Sequence, residues 1–155
     1  MTSTRSADGL EAIEPWLGEV MQSIEPGKRK TLADKLLRLL RRANARRMAS
    51  NVQPDGNAMA PRKKRAKGKR GKMFKRIGKA SSLKTRTTAE GGELRFAHAL
   101  VERTAAEHHF GLEGFVGRSR SGRIIRTKYQ ARELLGFGRE ADDFADEVLQ
   151  HLGAK

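Results

Sequence analysis

The sequence predicts an α+β fold: two N-terminal helices, a small and mostly antiparallel sheet with a short inserted helix, and a C-terminal helix. Three observations predict it. Apolar residues recur at steps of three and four over residues 8–24, 28–50 and 139–152, which is the period of one helix face. Short apolar runs between residues 77 and 127 alternate with polar residues and are bounded by Gly and Ser clusters, the pattern of strands joined by turns. Helices at both ends of a run of strands is the order of an α+β domain.

The first helix, 8–24, has Leu10, Ile13, Leu17, Val20, Met21 and Ile24 on one face. Asp8 and Glu11 have capping-box spacing, and Pro15 marks a kink or the true first turn. Pro26-Gly27 breaks the chain before the second helix, 28–50, and a Pro-Gly turn between two helices suggests an antiparallel pair. Leu32, Leu36, Leu39, Leu40, Ala43 and Met48 form the apolar stripe of the second helix. Lys35, Arg38, Arg41, Arg42, Arg46 and Arg47 are read as covering its other faces.

Asn51-Val52-Gln53-Pro54-Asp55-Gly56 is a dense turn signal. Beyond it nothing is periodic as far as Gly71, and a basic mobile loop is expected over about 57–72. Ile77, Leu83 to Thr88 and Leu94 to Ala97 read as short β segments. Residues 100–109 fit a short helix with Leu100, Val101 and Ala105 inward. Gly111 to Val116 and Arg123 to Thr127 read as the arms of a hairpin with its tip at 117–122. In the last helix Ala141, Phe144, Ala145, Val148, Leu149 and Leu152 share a face. The 155 residues are read as one domain, 1–155.

Charge is distributed unevenly. The net +15 lies in the middle of the chain: Lys28 to Arg86 holds 22 Lys and Arg against Asp34 and Asp55, or +20, while residues 1–27 carry −4 and residues 87–155 carry −1. A nearly neutral body with a basic middle implies a directed surface. Within it, Arg62, Lys63, Lys64, Arg65, Lys67, Lys69, Arg70 and Lys72 are eight basic residues in eleven. Such a run repels itself unless a partner orders it. It can neutralise phosphates in a salt-sensitive, sequence-blind way or meet an acidic protein surface. Only Phe74 is near enough to stack on bases, which argues against single-strand readout.

Catalytic and metal chemistry find no footing. The chain has no cysteine, which removes disulfides, thiolate metal sites and cysteine nucleophiles. Among His98, His108, His109 and His151 there is no H-x-H or H-E-x-x-H spacing, so no metal is expected, even at the adjacent His108-His109. Glu140, Asp142, Asp143, Asp146 and Glu147 are read as a solvated helix face that suits the dipole, not as acid–base pairs. Neither a G-x-S-x-G elbow nor a G-x-x-x-x-G-K-[ST] loop occurs. The expectation is a non-enzyme without cofactors. No run of about 18 apolar residues suggests a membrane span, and the N-terminus lacks a signal-peptide core.

Six short motifs then occur in order: Ala43-Asn44-Ala45-Arg46-Arg47-Met48 leading into Pro54-Asp55-Gly56; Ala60-Pro61-Arg62 before the basic stretch; Lys72-Met73-Phe74; His108-His109-Phe110-Gly111-Leu112; Tyr129-Gln130-Ala131-Arg132-Glu133-Leu134-Leu135-Gly136-Phe137; and the acidic-apolar helix ending at His151-Leu152. The series resembles the phage virion morphogenesis family, which includes the tail completion protein of temperate phages with contractile tails and Mu-like morphogenesis proteins. The likeness runs from about residue 10 to 152. Where the family usually has Tyr-Pro-Ala-Arg and His-Gln-Phe-Gly, this chain has Gln130 and His109.

The resemblance implies a structural protein of the virion, made in the host cytoplasm and acting in tail completion at the neck. There, at the head-proximal end of the tail, such proteins help join it to the head. It implies self-association, commonly as a hexameric ring around the DNA channel. The other partners implied are neck or connector proteins, the tail tube or tail terminator, and DNA in the channel; no membrane is involved. The alternative from composition is a free, sequence-nonspecific nucleic-acid-binding protein. For Pro54, Asp55, Gly56, His108, Phe110, Gly111, Ala131, Arg132, Leu134 and Leu135 two roles are open: holding the fold together, or building the contact between ring subunits.

Overall fold

A computed structural model describes residues 15, 18–20, 22–62, 73–88 and 90–152. Most of the predicted first helix lies outside the described residues; those of its residues that are described through Ser23 are helical. Its last apolar residue, Ile24, is buried against the next helix.

Helix α1 runs Pro26–Ser50. Pro26 stands in its first turn, where a missing N–H costs no intrahelical bond. The helix ends where Asn51 takes a left-handed conformation, φ 55°, and its N–H reaches back to the carbonyl of Met48 at 3.3 Å. Strand β1 (Leu83–Thr87) pairs antiparallel with β2 (Gly92–Phe96). Helix α2 (Ala99–His109) follows, then the antiparallel pair β3 (Glu113–Arg118) and β4 (Ile124–Lys128), and finally α3 (Ala141–His151).

The single sheet expected from sequence is two separate two-stranded sheets among the described residues. The inserted helix explains this. Eleven residues of α2 span about 16 Å at 1.5 Å per residue, so the chain leaves one hairpin and enters the other at opposite ends of a rod. Ile77 belongs to no strand: residues 73–82 form successive turns, with Ile77 and Gly78 N–H groups donating to Phe74 O. Leu100 does not point inward but is 76% exposed, leaving Ala105 as the fully buried contact of α2.

Helix α1 links two apolar clusters. Near its start, Leu32 and Leu36 pack on Ile24 and on Phe144 and Val148 of α3. Near its end, Met48 packs with Met59, Leu83, Phe96, Ala105 and Leu134. Burying each of these side chains except the small Ala105 stabilises by roughly 1.5–3 kcal/mol. The face of α3 is narrower than its sequence pattern, since Leu149 and Leu152 are both 44% exposed. The segment expected to be mobile from residue 57 is held at its beginning. Val52 and Ala58 form a bridge, Met59 N–H donates to Asn51 O at 2.8 Å, and Met59 is buried. Residues 63–72 lie outside the described residues.

Candidate functional site: a polar hub on an irregular segment

Residues 129–138 have no regular secondary structure, so their backbone groups need partners from elsewhere. They find them one after another. Tyr129 N–H donates to Leu112 O at 3.1 Å and Arg132 N–H to His108 O at 2.8 Å. Glu133 N–H donates to Gln53 Oε1 at 3.1 Å, Leu134 N–H to His109 Nδ1 at 3.1 Å, Gly136 N–H to Asn44 Oδ1 at 2.9 Å, and Gly138 N–H to Glu140 Oε2 at 2.7 Å. The acceptors come from the end of α2, the turn after α1, the middle of α1 and the lead into α3. The segment is therefore the seam that fastens these pieces.

Arg132 is the centre of the seam. It is 5% exposed. Its Nε donates to Ala60 O at 2.7 Å and its Nη2 to Pro61 O at 3.0 Å. Nη1 donates to Gln130 O at 3.3 Å and lies 3.4 Å from His108 Nδ1. Among the described residues no carboxylate pairs with it. A planar guanidinium with five donors suits a ring of carbonyls in this way. Burial pulls its pKa below the ordinary arginine value. Arg132 thus ties Ala60 and Pro61, just ahead of the basic run, to the C-terminal end of α2.

His108 faces this guanidinium, Tyr129 at 4.2 Å between ring centroids, and Phe74 edge-on at 5.1 Å. An arginine can only donate, so Nδ1 must accept and the ring is neutral with its proton on Nε2. Burial, and then the Arg132 charge, hold the His108 pKa below 6.5, against a smaller upward pull from Glu107. Because the folded-state pKa is lowered, the associated stability is complete above pH 6.5 and declines as pH falls from 6.5 through the lowered value. The expected result is that the urea midpoint of the natural chain drops more between pH 7.5 and 5.5 than that of His108→Asn. The asparagine keeps an acceptor but does not titrate.

A second cluster lies on α1. Asn44 is fully buried; its Nδ2 donates to Leu40 O at 2.9 Å, and its Oδ1 accepts from Gly136 N–H and from Arg47 Nη2. Arg47 also donates to Gly136 O at 2.6 Å and forms an ion pair with Glu140. So Arg47, on one of the non-apolar faces of α1, turns into the seam. The signal for Asn44 was present: 32, 36, 40, 44 and 48 run at steps of four, and a polar residue stands on an apolar stripe. Glu140 and Glu147, read as solvated, are both engaged, Glu147 pairing with Lys35 at 2.9 Å.

The predicted site residues fall into four groups. His108, Gly111, Ala131, Arg132, Leu134 and Leu135 belong to the seam or the core beneath it. Pro54 joins them, since a Cβ on Gly136 would lie 2.6 Å from Pro54 Cγ. Asp55 and Gly56 shape the adjoining turn, with Asn57 N–H donating to Asp55 Oδ1 at 2.8 Å and Gly56 at φ 88°. Phe110 stands apart, 67% exposed. Of the basic run only Arg62 is described, and it is exposed; Lys63, Lys64, Arg65, Lys67, Lys69, Arg70 and Lys72 lie outside the described residues. Among the described residues no three His, Asp or Glu side chains converge as for a metal ion, and no helix is long and apolar enough to cross a membrane.

The motifs that lie far apart in sequence, from Asn44 to Phe137, meet at this seam. A model of the phage virion morphogenesis family matches residues 8–153. The chain belongs to that family. No curated protein and no solved structure matches it significantly. The phage virion morphogenesis match covers both apolar clusters and the whole seam. His109, where the resemblance expected glutamine, still supplies an acceptor to a backbone N–H. Gln130, in place of proline, offers its carbonyl to Arg132.

Proposed function

We propose that this chain is a structural protein of phage tail completion, acting as a ring of copies at the head-proximal end of the tail where the tail joins the head. The observation that carries the reading is the family match over residues 8–153. The geometry is in keeping with it. Asn44, Arg47, His109 and Arg132 of the motifs are engaged in fastening the fold, while large apolar and basic groups remain on the outside for partners. Neck or connector proteins and the tail tube or terminator are the neighbours that such a position requires. DNA in the channel is a further candidate for the basic run.

The position in the particle is the decisive measurement: labelled protein is expected between the head connector and the tail tube. In the companion experiment the eight basic residues from Arg62 to Lys72 are replaced by glutamine. Tail joining in an infected-cell extract should fall by about tenfold or more, as expected when a dense set of charge contacts is removed. The urea midpoint of the purified protein should stay within error of the natural one. Normal joining without the protein, together with tight DNA binding of steep salt dependence, would instead make it a free nucleic-acid-binding protein.

A further inference from the structure

The hairpin of β3 and β4 is an arm with little cover. A two-stranded hairpin alone in water is marginally stable, and apart from strand on strand this one packs mainly on α2. Yet it carries Phe115, Val116, Ile124 and Ile125, which are 51%, 56%, 49% and 44% exposed. Its charge is one-sided: Arg118, Arg120, Arg123, Arg126 and Lys128 stand against Glu113 alone. None of these five basic residues joins an ion pair among the described residues.

The same chain carries a surface of matching chemistry. A groove of about 440 Å³ runs between α1, β2, α2 and the seam, lined by Leu94, Phe96, Phe110, Leu135 and Phe137 among others, with Glu102 as its carboxylate. Phe137 carries the groove onto α3 by stacking edge-on with Phe144 at 5.4 Å. On that helix Asp142, Asp143 and Asp146 are exposed and in no ion pair among the described residues.

We propose that the β3–β4 arm of one copy docks in this groove of a second copy, apolar side chains in the groove and arginines beside Glu102 and the α3 aspartates. Charge complementarity, together with apolar surface on both sides, selects the occupant. DNA would match the arginines of the arm but not Val116, Ile124 and Ile125, and it would leave the groove uncovered. A contact between two different patches is heterologous, so it adds copies in one direction and closes into a ring when the rotation allows. The contact deepens the ring reading above and rests on it for closure.

The chain contains no cysteine, so introduced cysteines report without background. Ile124→Cys and Phe110→Cys are made as separate full-length proteins, mixed and mildly oxidised. The mixed disulfide should exceed the self-linked products of either variant by about tenfold, because the bond forms only where Cα atoms come within about 7 Å. Both positions are exposed, and an unchanged thermal midpoint checks the fold; Val116→Cys with Glu102→Cys is the second pair if the first does not fold. Adding Arg118→Glu and Arg120→Glu to the arm should lower the yield, and Glu102→Lys in the groove protein should restore part of it. No mixed disulfide in either pair overturns the proposal. So does preferential self-linking of Ile124→Cys, or protection of that cysteine by duplex DNA without a mixed disulfide. Position in the particle is read separately. A mixed disulfide from a protein absent from the tail end would sink the tail-completion reading and leave the contact standing.

Discussion

Arg132→Met is expected to lower folding stability by about 2–4 kcal/mol, measured as the shift of the urea midpoint at unchanged slope. The methionine fills much of the space but donates nothing. Ala60 O and Pro61 O lose their short bonds at 2.7 and 3.0 Å; an acceptor left without a partner costs roughly 1–3 kcal/mol when buried, which applies more to the half-buried Ala60 than to the exposed Pro61. One effect opposes this: the variant no longer buries a charge, and relief from that desolvation offsets part of the loss. The carbonyls win because there are three of them, Ala60 O, Pro61 O and Gln130 O, and because the guanidinium that serves them is buried, 5% exposed, so water enters its place only at the exposed Pro61 edge. Arg132→Lys should fall between the two. It keeps the charge, but a compact ammonium cannot reproduce the planar fork that meets Ala60 and Pro61 on one side and His108 on the other. Lysine restoring full stability would show that charge, and not the fork, holds the seam. Natural domains are stable by roughly 5–15 kcal/mol, so this single side chain carries a large share.

The same residue shows which parts of the fold were legible in the sequence. Local periodicity places α1, α2, α3, the strands β1 and β2 and the β3–β4 hairpin within a few residues, because each depends on side chains near in sequence. The seam depends on pairs such as Arg132 with Ala60 and Gly136 with Asn44, more than 70 residues apart, and periodicity carries no information about those. Its segment is irregular, so it has no period to read at all. Arg132 could be singled out as an arginine before Leu134-Leu135, with both a fold-holding and a subunit-contact role open. The structure gives its donors to intrachain carbonyls and leaves Phe110, at 67%, the most exposed large apolar residue of the motif set among the described residues. Arg47 is a related case: its place on a non-apolar face of α1 does not show that Gly136 O and Glu140 are brought beside it. The one-sheet expectation failed because strand signals say where strands are and not which edges meet.

Gly111→Ala should destabilise the protein by about 2–5 kcal/mol, and two separable causes make it larger than an ordinary glycine replacement. Gly111 has φ 67°, where an L side chain costs roughly 1–2 kcal/mol. An added Cβ would also lie 2.9 Å from Ala131 N, 3.2 Å from Ala131 Cα and 3.2 Å from Tyr129 O, all backbone, and overpacking of this kind costs about 1–3 kcal/mol more. Gly56→Ala separates the causes, since Gly56 has φ 88° with nothing within 4 Å of its would-be Cβ; it should lose only the strain. The collision also has a direction. Pushing Ala131 outward displaces Arg132, the next residue, from Ala60 and Pro61. Gly111→Ala and Arg132→Met therefore damage one contact set, and their double variant should lose less than the sum of the two singles by about 0.5–3 kcal/mol, the range for coupled neighbours. Gly56→Ala combined with Arg132→Met should be additive within a few tenths of a kcal/mol if the turn at Gly56 acts separately. Full additivity of the Gly111 pair would mean that the α2 end and the Arg132 clamp act independently and that the seam is not one unit.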